Sequence, residues 1–365
     1  MGPKPPTLDP SPTPTPAPTP APSPTPTLTL TLNQVPYYTS APNDAIAAAV
    51  GRGGGRVAYD DGSDPARAAA LAAQADVALV FVATDSSEGA DRRSLSLDDG
   101  ADALIAAVAA ANPKTVVAAV APGAVLTPWR DAVAAVTLAF MPGQEYGHAL
   151  SDVLFGVTSP SAKLPLTMPT SEDDLNLTAA MWPGVDTPGG CDGQPNAHCT
   201  SAVYSEKLLV GYRYYDQHHL KPAYAFGHGL TYSSFKLSDL QLTPNTTSTA
   251  SAATSATAAT TAALYTVSVT LKNTGQRVAT ETPQLYLRFP IAAGEPPQQL
   301  KGFTKVSLAA GGSQVVSFAL TARKLSVWDA TAHAWTEAKG TFTATVGTSS
   351  RDDAALSVSF EHGTA

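Results

Sequence analysis

An α/β domain built on a doubly wound, mostly parallel sheet, followed by an all-β sandwich of immunoglobulin-like type, is the fold class this sequence predicts. Three observations predict it. Between about Pro42 and Pro169, apolar runs of strand length alternate with segments of helical character, as in parallel strands joined by crossover helices. After about Ser234, apolar residues recur at every second position between turn residues, as in short antiparallel strands. The chain has 365 residues, 44% of them hydrophobic, which is too long for one ordinary domain and sufficient for two cores.

The elements follow in order. Residues 3–32 are Pro/Thr/Ala low complexity, "PTPTPAPTPAPSPTPTLTLTL" at their centre. Proline fixes φ and removes a donor, so residues 1–33 are expected to be an extended, disordered linker or stalk, open to O-glycosylation. The α/β domain is assigned to 34–235. In "DPARAAALAAQA", Asp64 is the expected N-cap and Pro65 the first helical residue. "DVALVFVA" is a continuous apolar run of the kind a parallel strand shows when both faces are covered. "DDGADALIAAVAAAN" is a helix stopped at Asn112-Pro113. "KTVVAAVA" and "AAVTLAF" are further strands. "QEYGHALSDVLFG" is a helix that puts Tyr146, Leu150, Val153 and Leu154 on one face and ends at Gly156. "GRGGGR" at 51–56 lies ahead of an expected strand. A dinucleotide loop follows its strand, so nucleotide binding is not expected.

The sandwich is assigned to 236–365. "YTVSVTLKNTG" places Tyr265, Val267, Val269 and Leu271 on one face, and "QVVSFAL" and "TFTATVG" alternate likewise. Before them, "NTTSTASAATSATAATTAA" reads as a loop insertion.

Composition excludes several functions. Twenty-two basic and 30 acidic residues give a net charge of −8, and the basic ones are scattered, which argues against a nucleic-acid partner. No apolar run of about 18 residues is present, so no membrane span is expected. The N-terminus "MGPKPPTLDP" lacks an apolar h-region, so no signal peptide is expected. No cofactor or metal is implied. His198 stands beside the cysteines of "GGCDGQPNAHCTS", but the spacing is no recognised zinc pattern. Cys191 and Cys199 are compatible with a short-loop disulfide or with two free thiols, and the redox compartment decides between them.

One carboxylate draws attention by position. Glu88, in "SSEGADRRSLSL", lies about five residues beyond the strand expected at 77–83, and open α/β sheets bind ligands outside the carboxyl ends of their strands. A solvated loop glutamate is the competing reading.

The succession of segments decides between them. "SSEGADRRSLSL", "MPGQEYGHALSDVLFG", "PSAKLPLTMP", "VYSEKLLVGYRYYD" and "YAFGHGLTYSSF" follow in one order, and then "QLKGFTKVSLAAGGSQVVSFAL", "LSVWD" and "GTFTATVGTSS". Over residues 44 to 360 this resembles the C-terminal half of glycoside hydrolase family 3, the β-glucosidase and β-xylosidase family, with its fibronectin type III-like tail. The resemblance implies that Glu88 is the general acid/base of a retaining glycosidase. Such a group must donate a proton to the leaving oxygen and later take one from water, which calls for a raised pKa through partial burial or a second carboxylate. Asp91 and Arg92 match the family loop, chiefly as residues that order it and secondarily as sugar contacts. The substrate implied is a β-linked oligosaccharide or glycoside, with glucose or xylose favoured. The family also implies an extracellular location.

The departures matter as much. The family's nucleophile is an aspartate in a Ser-Asp-Trp motif on an N-terminal barrel. Neither that motif nor that barrel occurs here. Trp129, Trp182, Trp328 and Trp335 stand in other contexts, and Ser151-Asp152 and Ser238-Asp239 are expected in a helix and at the sandwich boundary. The first βα unit of the α/β domain is also absent from the pattern. Two readings result: a β-glucosidase-like hydrolase carrying the acid/base half of its site, completed by a barrel upstream or in trans, or a non-catalytic carbohydrate-associated or structural remnant of such an enzyme. Glu145 of "PGQE" is expected as a helix N-terminus carboxylate. His228 is expected to pack against aromatics such as Tyr214, Tyr215 and Tyr232, which are expected to form an interdomain core.

Overall fold

The computed structural model describes residues 39–89, 91–187, 199–245 and 262–363. The proline-rich segment, Cys191 and most of the Thr/Ala/Ser tract lie outside these residues.

The α/β part begins with α1 (Pro42–Arg52), which has proline at its first position, Asp44 in its first turn and Arg52 in its last, matching the helix dipole at both ends. Residues 55–61 then run without a ladder partner, and Val57 and Tyr59 are exposed. The strand expected after "GRGGGR" is therefore not formed, because a strand needs a neighbour to take its backbone groups. Helix α2 (Pro65–Ala72) follows, and the Asp64 carboxylate accepts the amides of Ala66 and Arg67, as the sequence predicts.

Strands β1 (Ala78–Ala83), β2 (Thr115–Val120) and β3 (Ala135–Ala139) form a parallel sheet in sequential order, with α3 (Ala101–Ala111) crossing between the first two. Ala78, Val80 and Val82 alternate onto one face, and with Val117 and Ala119 they bury the apolar sides of α2 and α3. Buried Asn112 ends α3 and reaches back to α2. Its amide donates to the carbonyls of Ala72 and Ala75, both at 2.9 Å, so one side chain terminates two helices.

Helix α4 (Tyr146–Leu154) packs on α1. Its most buried residues are Gly147, Leu150 and Ser151, so the buried face is turned from the expected Tyr146, Leu150, Val153 and Leu154. Gly147 is the cause. A Cβ there would stand 2.6 Å from the Ser40 carbonyl oxygen, so only glycine allows this approach. Ser151-Asp152 lies in this helix, and Glu145 is its N-cap residue, with its carboxylate on His148 Nδ1 at 2.8 Å.

A short pair, β4 (Val185–Asp186) and β5 (Thr200–Ser201), and helix α5 (Tyr212–Gln217) precede the sandwich. One sheet of the sandwich contains β6 (Phe235–Pro244), β7 (Ala263–Asn273) and β12 (Ser313–Thr321), with β7 in the middle. The other has the order β10-β9-β15-β16, formed by Gln299–Phe303, Gln284–Arg288, Gly340–Gly347 and Leu356–His362. Two smaller pairs are β8 (Ala279–Glu281) with β11 (Val306–Leu308), and the hairpin β13 (Ser326–Asp329) with β14 (Ala334–Glu337). Val267, Val269 and Leu271 of β7 meet Leu285, Leu287, Phe342 and Val346 in the core, the face the period-two pattern predicts. Tyr265, at the end of that face, is only partly buried. Ser238-Asp239 marks a β-bulge in β6, with Asp239 at φ 54°.

The two parts meet through a polar network and through the Tyr212 ring, which meets the edge of buried Tyr286. Lys163 pairs with Glu281 of β8 at 2.7 Å, with side chains only 13% and 7% exposed, and also donates to the Gly229 carbonyl. Gln284 of β9 donates to the carbonyls of Gly227 and Thr348 and accepts from the Tyr286 hydroxyl. Gly227 has φ +77°, and a Cβ there would meet the Gln284 side chain, so glycine is required twice over. His228 stacks on Tyr224 at 5.7 Å, not on the tyrosines expected for it. Tyr215 is instead buried elsewhere, Tyr214 lies against His218, and the Tyr232 hydroxyl donates to the Val153 carbonyl.

Two predictions follow from the junction. Glu281→Ala strands a buried ammonium and should cost about 3 kcal/mol in urea unfolding. The paired change Lys163→Met with Glu281→Leu should recover most of that loss. Burial, reinforced by the nearby Lys163 ammonium, holds the His228 imidazole below its ordinary value. Below roughly pH 6.5, the unfolded chain binds a proton that the folded chain refuses. Stability should therefore fall as pH drops from 7 towards 5, and the fall should be shallower in His228→Gln.

Candidate active site

The site is built at the carboxyl end of the parallel sheet. Strand β1 ends at Ala83, and the chain leaves the sheet into the loop 84–100. Thr84 still donates to the Val120 carbonyl, and Asp98 returns to the strand end by donating to the Ala83 carbonyl at 3.3 Å. The loop thus closes on its own base, and its tip carries Glu88.

Three contacts fix the descending limb. Arg92 Nη2 donates to the Ala124 carbonyl at 2.8 Å. The Leu95 carbonyl accepts the Leu126 amide at 2.9 Å. The Leu95 amide donates to the Glu172 carboxylate, 77 residues further along the chain. Two of the three, from the Arg92 guanidinium and to the Glu172 carboxylate, are charge-assisted and so stronger than a bond between neutral groups. Glu172 opens a 3-10 turn (Glu172–Leu175) that is itself held. Asp174 in that turn accepts the Thr170 amide and the Tyr215 hydroxyl, each at 2.8 Å. Burial opposes ionisation of Asp174, but these donors outweigh it and hold the carboxyl below its ordinary value. The Tyr215 hydroxyl is pushed up, first by burial and then by the Asp174 carboxylate.

Beneath the loop, Trp129 is buried and its indole N–H donates to Asp102 of α3 at 2.8 Å. Three buried polar atoms at this end of the sheet have no hydrogen-bond partner among the described residues: Thr84 Oγ1, Arg92 Nη1 and Thr127 Oγ1.

The residues singled out from the sequence separate here. Glu88 and Asp91 are exposed and form no hydrogen bond among the described residues, whereas Arg92 is half-buried and orders the loop. The partial burial expected of an acid/base is absent at Glu88, because the loop tip rises beyond the strand end with nothing described above it. Cys199 is disulfide-bonded, and Cys191 lies outside the described residues. No cluster able to hold a metal occurs among the described residues. Sequence reasoning missed Glu172, Asp174 and the Ala124 carbonyl. The first two stand in "SEDDL", whose local pattern says nothing of their distant partners, and a main-chain acceptor leaves no signal in sequence.

With the geometry in place, comparison with known proteins is informative. Residues 23–232 match the Glycosyl hydrolase family 3 C-terminal domain, and residues 281–350 match a Fibronectin type III-like domain. The first match starts ahead of α1, inside the proline-rich segment, and so reaches further than the resemblance from residue 44. A relative named probable beta-glucosidase L from Aspergillus terreus is 38% identical over 331 residues, 86% of this chain and 43% of that protein. One named probable beta-glucosidase G from Aspergillus oryzae is 40% identical over 76% of this chain and 34% of its own length. Among solved structures, the beta-D-glucoside glucohydrolase from Trichoderma reesei superposes with a TM-score of 0.77 at 32% identity, covering 89% of this chain and 45% of that one. DesR, a beta-glucosidase from Streptomyces venezuelae in complex with D-glucose, does so with 0.69 at 33% identity, covering 81% and 35%. The chain spans less than half the length of each of these proteins.

The anchoring yields a prediction. Glu172→Ala removes a charge-assisted bond to the Leu95 amide, so exchange of that amide should speed by about tenfold or more. Amides of β7 should be unchanged. Hydrogen exchange followed by mass spectrometry or NMR measures both.

Proposed function

Since the chain belongs to glycosyl hydrolase family 3, we propose that it carries the proton-transfer half of a retaining β-glucoside hydrolase, with Glu88 as general acid and base. The observation that carries this reading is the placement of Glu88: a carboxyl on an exposed tip, beyond a parallel strand, on a loop pinned at its base by Arg92, Leu95 and Glu172. A pinned base with a free tip suits a group that must reach a glycosidic oxygen once sugar is bound.

In this mechanism the Glu88 hydroxyl delivers its proton to the leaving oxygen as the bond to the anomeric carbon breaks. A second carboxylate, about 5 Å away, attacks that carbon from the other face and forms the covalent intermediate. The Glu88 carboxylate then takes a proton from water, and the resulting hydroxide equivalent releases the sugar. Asp152 on α4 and Asp239 at the β6 bulge are unsuited to the nucleophile's role by position. The nucleophile is assigned to a barrel outside these residues, upstream or in trans. Closure of that domain over Glu88 would exclude water and supply the desolvation that the acid role needs. The substrate assigned is a β-linked glucoside or short oligosaccharide, in keeping with the names of the relatives. Arg92 acts through the loop. Asp91, exposed at its surface, is the better placed of the two for direct sugar contact.

An extracellular location fits the disulfide at Cys199. No helix among the described residues is long and apolar enough to cross a membrane. The second reading, a non-catalytic carbohydrate-associated chain, draws on the same exposure of Glu88, since a loop past its use would also stand free.

Turnover separates the two. Alone, the purified chain should hydrolyse p-nitrophenyl β-glucoside no faster than its Glu88→Ala control. Joined to a barrel from a related enzyme, it should cleave a disaccharide, and Glu88→Gln should lower that rate about 10²–10⁴-fold. Aryl glycosides, which leave without protonation, should suffer less. Equal rates for parent and Glu88→Gln on the disaccharide would favour the non-catalytic reading.

A further inference from the structure

The sandwich carries an aromatic surface that hydrolysis at Glu88 does not use. Trp328 and Trp335 stand directly opposite each other on the β13–β14 hairpin. Their ring centroids are 5.5 Å apart with planes tilted by 57°, and the residues are 50% and 45% exposed. Tryptophan usually buries its body, so two open indoles side by side call for an explanation. The Arg323 guanidinium lies 3.6 Å over the Trp335 ring and fixes that indole from one side. At the turn, the Asp329 carboxylate accepts the amides of Thr331 and Ala332. Glu337, on the same face as the tryptophans, is paired with His362 at 2.8 Å. The indoles thus lie on an ordered hairpin, one of them backed by Arg323, with polar groups of both signs nearby.

Size and charge limit the occupant. Two half-exposed indoles offer on the order of 200 Å², far below the roughly 800 Å² per partner that a stable protein interface takes. Arg323 set against Glu337 and Asp329 leaves an imbalance of a single charge, too little to draw a polyanion or a polycation. What fits is a ligand with small apolar faces and neutral polar edges. A β-linked glucan is such a ligand, because its rings present C–H faces and keep their hydroxyls at the rim. The 57° tilt adds a further limit: two faces at that angle suit successive rings of a twisting chain, whereas a crystalline surface needs coplanar ones.

We infer that Trp328 and Trp335 form a binding site for soluble β-glucan chains on the sandwich, apart from the Glu88 loop. The site does not depend on Glu88 being catalytic, since a chain that binds glucan without cleaving it would use the same surface.

The test is binding by the whole chain. Purified protein is titrated with cellohexaose, followed by tryptophan fluorescence and calorimetry, and run through gels containing soluble mixed-linkage β-glucan. Retardation and saturable binding are expected. Trp328→Ala or Trp335→Ala should weaken binding about tenfold, and the double change should abolish it. Trp328→Phe, which keeps a stacking face, should retain most of it. Glu88→Gln and Trp182→Ala should leave it intact. Both indoles are exposed, so folding is expected to survive, and circular dichroism of each variant verifies this. The inference is overturned if the parent does not bind at millimolar cellohexaose, if binding survives the double change, or if only microcrystalline cellulose is bound. It is equally overturned if the double change turns a dimer into a monomer in sedimentation velocity without altering glucan binding, because the surface would then serve a second copy of the chain.

Discussion

The short helix Tyr212–Gln217 is the constraint on which the rest of the structure depends, because it is gripped on both sides. Toward the sandwich, the Tyr212 hydroxyl accepts the Leu300 amide, and its ring stacks on Phe226 and meets the edge of Tyr286. Asp216, on the same helix, binds Arg351 and Gln298. Toward the α/β part, Tyr215 donates to Asp174. A helix of six residues has little stability of its own. Tertiary contacts hold it, and in being held it joins the two parts.

That grip reaches the Glu88 loop by covalent and hydrogen-bonded steps. Tyr215 fixes Asp174, Asp174 fixes the 3-10 turn, and Glu172 at the head of that turn fixes Leu95. The loop is thus steadied from the direction of the sandwich as well as by the sheet it grows from. Exposure changes along the loop: Glu88 is exposed while Arg92 and Leu95 are partly buried.

Beside the aromatic contacts of Tyr212, the junction carries a set of buried polar groups. Lys163, Glu281, Gln284 and the Gly227 carbonyl satisfy one another in a nearly dry setting. Such networks contribute orientation more than stability, because desolvation cancels most of the attraction. The requirement for glycine at 227, set by both φ and the Gln284 side chain, shows how little freedom the junction leaves. A defined angle between the parts matters if the sandwich holds a sugar chain and the loop acts on one.

The sequence alone determined what depends on neighbours in the chain. Period two along β7 predicted which residues meet in the sandwich core, and Asp64-Pro65 predicted where a helix begins, because side-chain direction and N-terminal capping are local geometry. The place of Glu88 after an apolar strand was likewise legible, because strand β1 and the loop that follows it are adjacent in the chain. Only tertiary structure decided the remainder. Residues 55–61 carry a strand-like pattern but form no strand, since pairing depends on what lies alongside. The buried face of α4 turned toward Gly147 because α1 comes close there, and His228 found Tyr224 because the fold brought them together. Glu172 is one of three consecutive acidic residues, 172–174. Its role arises from an amide 77 residues away, and no local pattern encodes a partner at that distance.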